Sequence, residues 1–234
     1  MLRVDGVDAY YGLSHVLQNV SLSVQPGEAV ALLGRNGAGK TTTLKTIMGV
    51  VRARRGRITW DGTDVTALPS HRIVQLGIGY VPEERRIFPN LSVYENLKMA
   101  RLTIDGGRHM DDYLARVFAL FPPLEQRLAN KGRTLSGGEQ QMLTMARSLG
   151  TEPRLLLIDE PTEGLMPAFV ETIERTIGEI QRQGLAVLLV EQNTRLALSA
   201  TQRAYLIEKG LIKHEARSSE LRDDAALRLR YLGV

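Results

Sequence analysis

Apolar positions along this chain repeat with two different periods, and the change between them divides it. Residues 2–9 and 16–24 alternate in the manner of strands, with a turn at Tyr11-Gly12. Pro26-Gly27 marks another turn. Residues 29–33 form a short unbroken apolar run, the pattern of a strand buried on both faces. Residues 40–48 then read as a helix, and 57–60 and 78–81 as further strands. From 94 to 150 the period becomes helical. Met110, Tyr113, Leu114, Val117, Phe118 and Phe121 share one face, and Met142, Leu143, Ala146 and Leu149 share another within 137–149. After Pro153 strands and helices alternate again. Residues 154–159 and 185–190 read as buried strands. Between them Pro167 opens a helix whose stripe is Phe169, Ile173, Ile177 and Ile180. Residues 204–207 and 211–214 suggest a hairpin around Lys209-Gly210, and 216–231 a helix-rich tail. The layout is one α/β domain over 1–234. Its core spans about 1–83 and 151–234, with antiparallel strands at the N-terminus and an inserted helical lobe at about 84–150.

Composition narrows this picture only a little. A chain of 234 residues is long enough to bury a sizeable core. Lys plus Arg is 30 against 26 for Asp plus Glu, so the formal excess is +4. The densest basic cluster is Arg52, Arg54, Arg55 and Arg57. Without interleaved aromatics to stack bases it reads as a solvated turn between strands rather than a nucleic-acid tract. There is no Cys, which removes disulfides and thiolate metal sites. No apolar run approaches the roughly 18 residues of a membrane span, and the N-terminus lacks a signal-peptide core. The expectation is a cytosolic protein that reaches a membrane only through a partner.

Three segments carry the chemistry. Gly34-Arg35-Asn36-Gly37-Ala38-Gly39-Lys40-Thr41, followed by Thr42, fits G-x-x-x-x-G-K-[ST]. It stands between a buried strand and a helix, the setting in which that pattern cradles phosphate. Glycines admit backbone N–H groups close to the anion, and the helix N-terminus adds partial positive charge. Lys40 is placed to reach the β/γ-phosphates, and Thr41 to offer a hydroxyl to Mg²⁺. Asp159 ends a buried strand, where a carboxylate faces the ligand crevice of an α/β sheet and suits Mg²⁺. Glu160, beside it, is the candidate to orient or deprotonate the attacking water. Its alternative is a helix-entry carboxylate before Pro161. The third segment is Leu135-Ser136-Gly137-Gly138-Glu139-Gln140-Gln141, a serine-glycine helix start that again faces an anion.

Taken together, these segments resemble the ATP-binding-cassette (ABC) ATPases over essentially the whole chain, with a P-loop (RecA-like) core. In that family the Ser136–Glu139 segment would contact the γ-phosphate of ATP held by an opposite cassette, so the resemblance implies a dimer when ATP is bound. Tyr11 falls where the family stacks an aromatic on adenine, its alternative being a strand-end tyrosine. Within the family the chain is most similar to LivF-type cassettes of branched-chain amino acid importers. The stretches that carry this are Tyr80-Val81-Pro82-Glu83, Ile87-Phe88-Pro89-Asn90-Leu91-Ser92-Val93 with Glu95-Asn96-Leu97, Leu189-Val190-Glu191-Gln192-Asn193, and Tyr231-Leu232-Gly233. Three positions depart from the general pattern. Glu83 replaces a Gln that touches Mg²⁺, Gln192 replaces the switch His, and Met166 replaces an Asp that bridges subunits. Gln192 can hydrogen-bond a γ-phosphate but cannot carry a proton.

The resemblance implies ATP and Mg²⁺ as cofactors. It implies a second, distinct LivG-like cassette, two membrane permeases and, indirectly, a periplasmic solute-binding protein as partners, with no nucleic acid. It places the chain peripherally on the cytoplasmic side of the inner membrane. Residues 85–97 would form the groove for a permease helix, with Phe88 and Tyr94 as anchors or, alternatively, as core. The leading expectation is an ATPase powering branched-chain amino acid import. The alternatives are the same role for urea or an amide, a soluble ABC ATPase, and an ATP-binding regulatory subunit.

Overall fold

In a computed structural model, which describes residues 1–105 and 109–232, the chain begins with an antiparallel pair, β1 (Leu2–Tyr11) and β2 (Ser14–Val24). Gly12 and Leu13 make the turn, so Tyr11 still belongs to the strand. β3 (Ala29–Leu33) runs into the glycine loop, and α1 (Lys40–Ile47) leaves it. Then come β4 (Ala53–Trp60), β5 (Thr63–Asp64), α2 (Ser70–Gln75) and β6 (Ile78–Val81). The helical stretch comprises α3 (Val93–Asp105), α4 (Met110–Leu120), α5 (Pro122–Gln126), a 3-10 turn at Gly132–Thr134, and α6 (Gly137–Leu149). β7 (Leu155–Asp159), α7 (Pro167–Arg182), β8 (Ala186–Val190), α8 (Thr194–Ala200), β9 (Arg203–Glu208), β10 (Leu211–Arg217), α9 (Ser218–Asp223) and α10 (Ala225–Tyr231) complete the chain.

The strands form two sheets. One is antiparallel in the order β2-β1-β4-β5; the other has the order β10-β9-β3-β8-β7-β6 and is parallel except for β10. Strand periodicity explains why β3, β7 and β8 read as unbroken apolar runs. Ala29, Ala31 and Leu33 face one core with Leu156, Ile158, Val187 and Leu189. Val30 and Leu32 face a second core with Leu155, Leu157 and Leu188. The second core is closed by the antiparallel sheet and α1, through Leu17, Val20, Leu44 and Ile47. The first is closed by the helices, through Leu97, Val117, Phe121, Met142 and Ile177. The helical stretch therefore shares a continuous core with the parallel sheet.

Several sequence expectations shift. The arginines at 52–57 are not a turn between strands. Arg54, Arg55 and Arg57 lie on β4, which pairs along β1. Arg54 crosses the Tyr10 ring at 4.5 Å and donates to Gly12 O, and Arg57 pairs with Asp64. Their charge hid a strand whose first half is exposed to solvent. Residues 216 and 217 extend β10 before the tail turns helical. α2, β5 and α8 were not expected, because each is too short to establish a period. The terminal Gly233 of the family-like ending lies outside the described residues.

Candidate nucleotide site

The glycine loop is built by close approach rather than by flexibility alone. A Cβ on Gly34 would stand 2.3 Å from Ile207 O, so any side chain there would collide with β9 backbone. Gly39 precedes α1 with φ +109, a conformation L side chains rarely adopt. Lys40 folds back under the loop, donating to Gly34 O at 2.9 Å and Arg35 O at 3.4 Å. Ala38 N–H closes the turn on Arg35 O at 3.1 Å, and Ala38 O accepts from Gly210 N–H.

Asp159 is fully buried at the end of β7. Its two oxygens accept from the Thr41 hydroxyl at 3.0 Å and from the Tyr80 hydroxyl at 3.1 Å. Burial pushes its carboxyl up, against the lowering effect of those two bonds. Tyr80, at the end of the adjacent parallel strand β6, is itself raised by burial and by the Asp159 charge. Tyr80 is a site residue that the sequence reading passed over. Its only signal was position, next to β7 on the crevice edge.

Glu160 has φ +43, uncommon for a non-glycine residue, and its N–H donates to Val190 O at 2.8 Å. It opens no helix, so the helix-entry alternative falls. Lys40 Nζ lies 3.3 Å from Glu160 Oε1. Gln192 Nε2 donates to Glu160 Oε2 at 2.5 Å. The three residues named for catalysis thus meet at one carboxylate, although two loops and the start of α1 supply them.

An open cleft of about 350 Å³ faces this group, lined by Tyr11, Asn36, Gly37, Gly39, Lys40, Thr41, Thr42, Glu83, Glu160, Glu163 and Gln192 with Val16. Tyr11 is half exposed there, and its neighbour Tyr10 stacks instead on His15. Glu163 was not named from the sequence. Burial, then the Glu163 carboxyl, then Asp159 and Glu160, push the Glu83 carboxyl up. Gly34, Arg35 and Ala38 shape the loop from beneath and do not line the cleft.

No residue of the Ser136–Glu139 segment lines this cleft. Ser136 caps α6: its Oγ accepts from Glu139 N–H at 3.3 Å, and Ser136 N–H donates to Glu139 Oε2 at 2.8 Å. Arg127 Nε donates to the other Glu139 oxygen at 3.2 Å. Glu139 therefore holds the helix start together. Ser136 is exposed, and its hydroxyl, an acceptor in the cap, retains a proton to donate. Gly137 packs on Arg85 and Gly138 on the Phe169 ring, where a Cβ would approach to 2.6 and 2.3 Å respectively. Met166 is exposed just before α7.

Among the described residues no set of three His, Cys, Asp or Glu side chains is arranged to hold a metal ion. The donors fit Mg²⁺ of the phosphate-bound kind, with the Thr41 hydroxyl and Asp159 side by side and phosphate oxygens supplying the rest. Phe88 and Tyr94 are both part exposed rather than core. Phe88 lines a separate groove of about 580 Å³ with Tyr80, Pro82, Arg86, Met99 and Arg147; Tyr94 does not. Arg147 lies 4.4 Å over the Phe88 ring.

Comparison with known proteins gives the family. The family model described as "ABC transporter" matches residues 17–163. The high-affinity branched-chain amino acid transport ATP-binding protein BraG of Pseudomonas aeruginosa is 42% identical, covering 100% of both chains. The lipopolysaccharide export system ATP-binding protein LptB of Haemophilus influenzae is 37% identical, covering 100% of this chain and 97% of its own. A solved ATP-binding subunit of an ABC transporter superposes with a TM-score of 0.84 at 29% identity, over 100% of this chain and 96% of that one. By family match, sequence likeness and fold, this chain belongs to the ABC transporter family, as one of its ATP-binding, ATP-hydrolysing cassettes.

Proposed function

We propose that this cassette powers import of a branched-chain or related amino acid through partner membrane permeases. The observation that carries the substrate class is the 42% identity with BraG across both full lengths. LptB at 37% favours a second reading, energising an export system for a lipid-linked saccharide. The two readings share one ATPase cycle and differ only in the membrane partner.

In that cycle the glycine loop and Lys40 hold the triphosphate. Tyr11 lies on the adenine side, and Asn36 and Thr42 border the phosphates. Thr41 and Asp159, with Glu83 nearby, would hold Mg²⁺, which would supply charge screening for the phosphates. Glu160 takes the proton of the attacking water. Gln192 fixes the Glu160 carboxylate and donates toward the γ-phosphate. Ser136, Gly137 and Gly138 serve the nucleotide of a facing cassette. What supports that division is their absence from the lining of the Lys40 cleft, with an exposed serine at a helix N-terminus. A permease helix is seated in the Phe88 groove, and a distinct LivG-like cassette is the expected dimer partner. On this reading the chain sits peripherally on the cytoplasmic face of the membrane.

The test is uptake of labelled leucine, isoleucine and valine in cells lacking this chain, complemented with the parent or Glu160→Gln. Restoration by the parent alone supports the import reading. Uptake indifferent to the chain, with a defect in envelope saccharide export, would replace it with the second reading.

A further inference from the structure

Glu191 is 3% exposed, just after β8 and directly before Gln192, and the cycle above leaves it without a part. Its Oε1 accepts two hydrogen bonds, from the Thr162 hydroxyl at 2.9 Å and from Asn193 N–H at 3.1 Å. Its Oε2 is buried with no hydrogen-bond partner among the described residues. Burial pushes the Glu191 carboxyl up, the two donors oppose that, and the Glu160 charge adds to it. A buried carboxylate oxygen without a protein partner is unfavourable compared with an apolar residue of similar size. Such a group calls for a positional explanation.

The two donors supply one. Thr162 stands two residues after Glu160, and Asn193 one residue after Gln192. A single oxygen atom therefore joins the loop that follows Glu160 to the loop that carries Gln192. The Gln192–Glu160 contact at 2.5 Å spans the same two loops. Asn193 also accepts from Leu196 N–H at 3.1 Å, so the Glu191 bond anchors the turn into α8. Without Glu191 the side-chain link between the two loops would rest on Gln192–Glu160, beside the backbone bond from Glu160 N–H to Val190 O.

We propose that Glu191 is a positioning residue for hydrolysis. Its Oε1 fixes the spacing of the two loops so that Gln192 meets Glu160 in register. This rests on reading Glu160 and Gln192 as the pair that handles the attacking water. The role needs an acceptor oxygen, not a charge, so an amide at 191 should serve where a methyl cannot.

The experiment measures kcat and KM for ATP on the full chain for the parent, Glu191→Ala, Glu191→Gln, Gln192→Ala and the double variant Glu191→Ala/Gln192→Ala. Thermal melting checks that each is folded. Glu191→Ala should lower kcat by about tenfold with KM within about twofold, since a misplaced group costs turnover rather than affinity. Glu191→Gln should recover most of that loss. In the Gln192→Ala background, Glu191→Ala should cost less than about twofold, because residues acting through one contact are not additive. Parental kcat in Glu191→Ala, an equal loss in Glu191→Gln, or additive losses would each overturn the proposal. If Glu191→Ala does not fold, Thr162→Val removes one donor at constant volume and should lower kcat by about threefold; no loss overturns the proposal. Parental turnover in Gln192→Ala would instead refute the water-handling pair. Amide hydrogen exchange over 192–194 then decides the claim for Glu191. It should speed up at least about tenfold in Glu191→Ala and not in Glu191→Gln, and unchanged exchange rejects it.

Discussion

Lys40 Nζ and Glu160 Oε1 lie 3.3 Å apart, and both side chains are almost wholly buried. The cation suited to a γ-phosphate and the carboxylate suited to a water proton are thus counter-ions of one another. A triphosphate that engages Lys40 competes with Glu160 for it. The same event that fills the glycine loop therefore frees the base.

Glu160→Gln is expected to slow hydrolysis by about 10²–10⁴-fold, the usual worth of a general base. Because the amide no longer competes for Lys40, ATP affinity should hold or rise. Steady-state turnover together with nucleotide titration checks both. Retained turnover would remove Glu160 from its role.

Lys40→Ala acts on both partners. It removes the phosphate cation and leaves the Glu160 carboxylate buried without its ion pair, a change of about 3–5 kcal/mol when such a pair is broken from one side. We expect ATP affinity to fall and the melting temperature to drop. Adding Glu160→Gln should recover part of the stability but not the affinity. An ATP titration matching the parent would show that the glycine loop is not the triphosphate site.

At Gly138 the added methyl of alanine would meet the Phe169 ring at 2.3 Å. Overpacking of this kind costs about 1–3 kcal/mol. Gly138→Ala should lower stability, and Phe169→Leu in the same chain should restore part of it. Denaturant melts of the two single variants and the double variant measure the coupling. Additive effects would mean that α6 and α7 relax apart.

Glu28 should contribute to acid sensitivity. Arg203 grips this carboxylate through Nε at 2.8 Å and Nη2 at 2.9 Å, joining the start of β3 to β9. Burial raises the Glu28 carboxyl, but the Arg203 bonds and the Gln25 N–H outweigh it and hold it below its ordinary 4.5. A carboxyl lowered on folding stabilises the protein above its unfolded value. That stability is lost as pH falls through the folded value. The melting temperature should therefore decline below about pH 4.5, and more steeply in the parent than in Glu28→Gln. Parallel pH profiles would contradict the assignment.

The long elements were legible because their periods repeat. Ala29 to Leu33 and Leu155 to Asp159 alternate between two apolar cores, so neither strand offers a polar face, and both stood out. The Ile173, Ile177 and Ile180 stripe of α7 was equally plain. β4 was partly masked because Arg54, Arg55 and Arg57 occupy solvated positions, leaving only its last apolar residues to mark it. α2, with six residues, shows less than two turns of pattern.

Local order fixed the kinds of group this protein carries: a glycine turn before Lys40, an acid pair ending an apolar strand, and a serine-glycine start to α6. Those depend on neighbours in the chain, through backbone access and helix ends. Only the folded sheet decided who meets whom. Parallel pairing of β6, β7 and β8 brings Tyr80 to Asp159, Gln192 to Glu160 and Thr162 to Glu191, from positions up to 79 residues apart. Strand register sets those distances, and register is a property of the packed sheet rather than of any one segment.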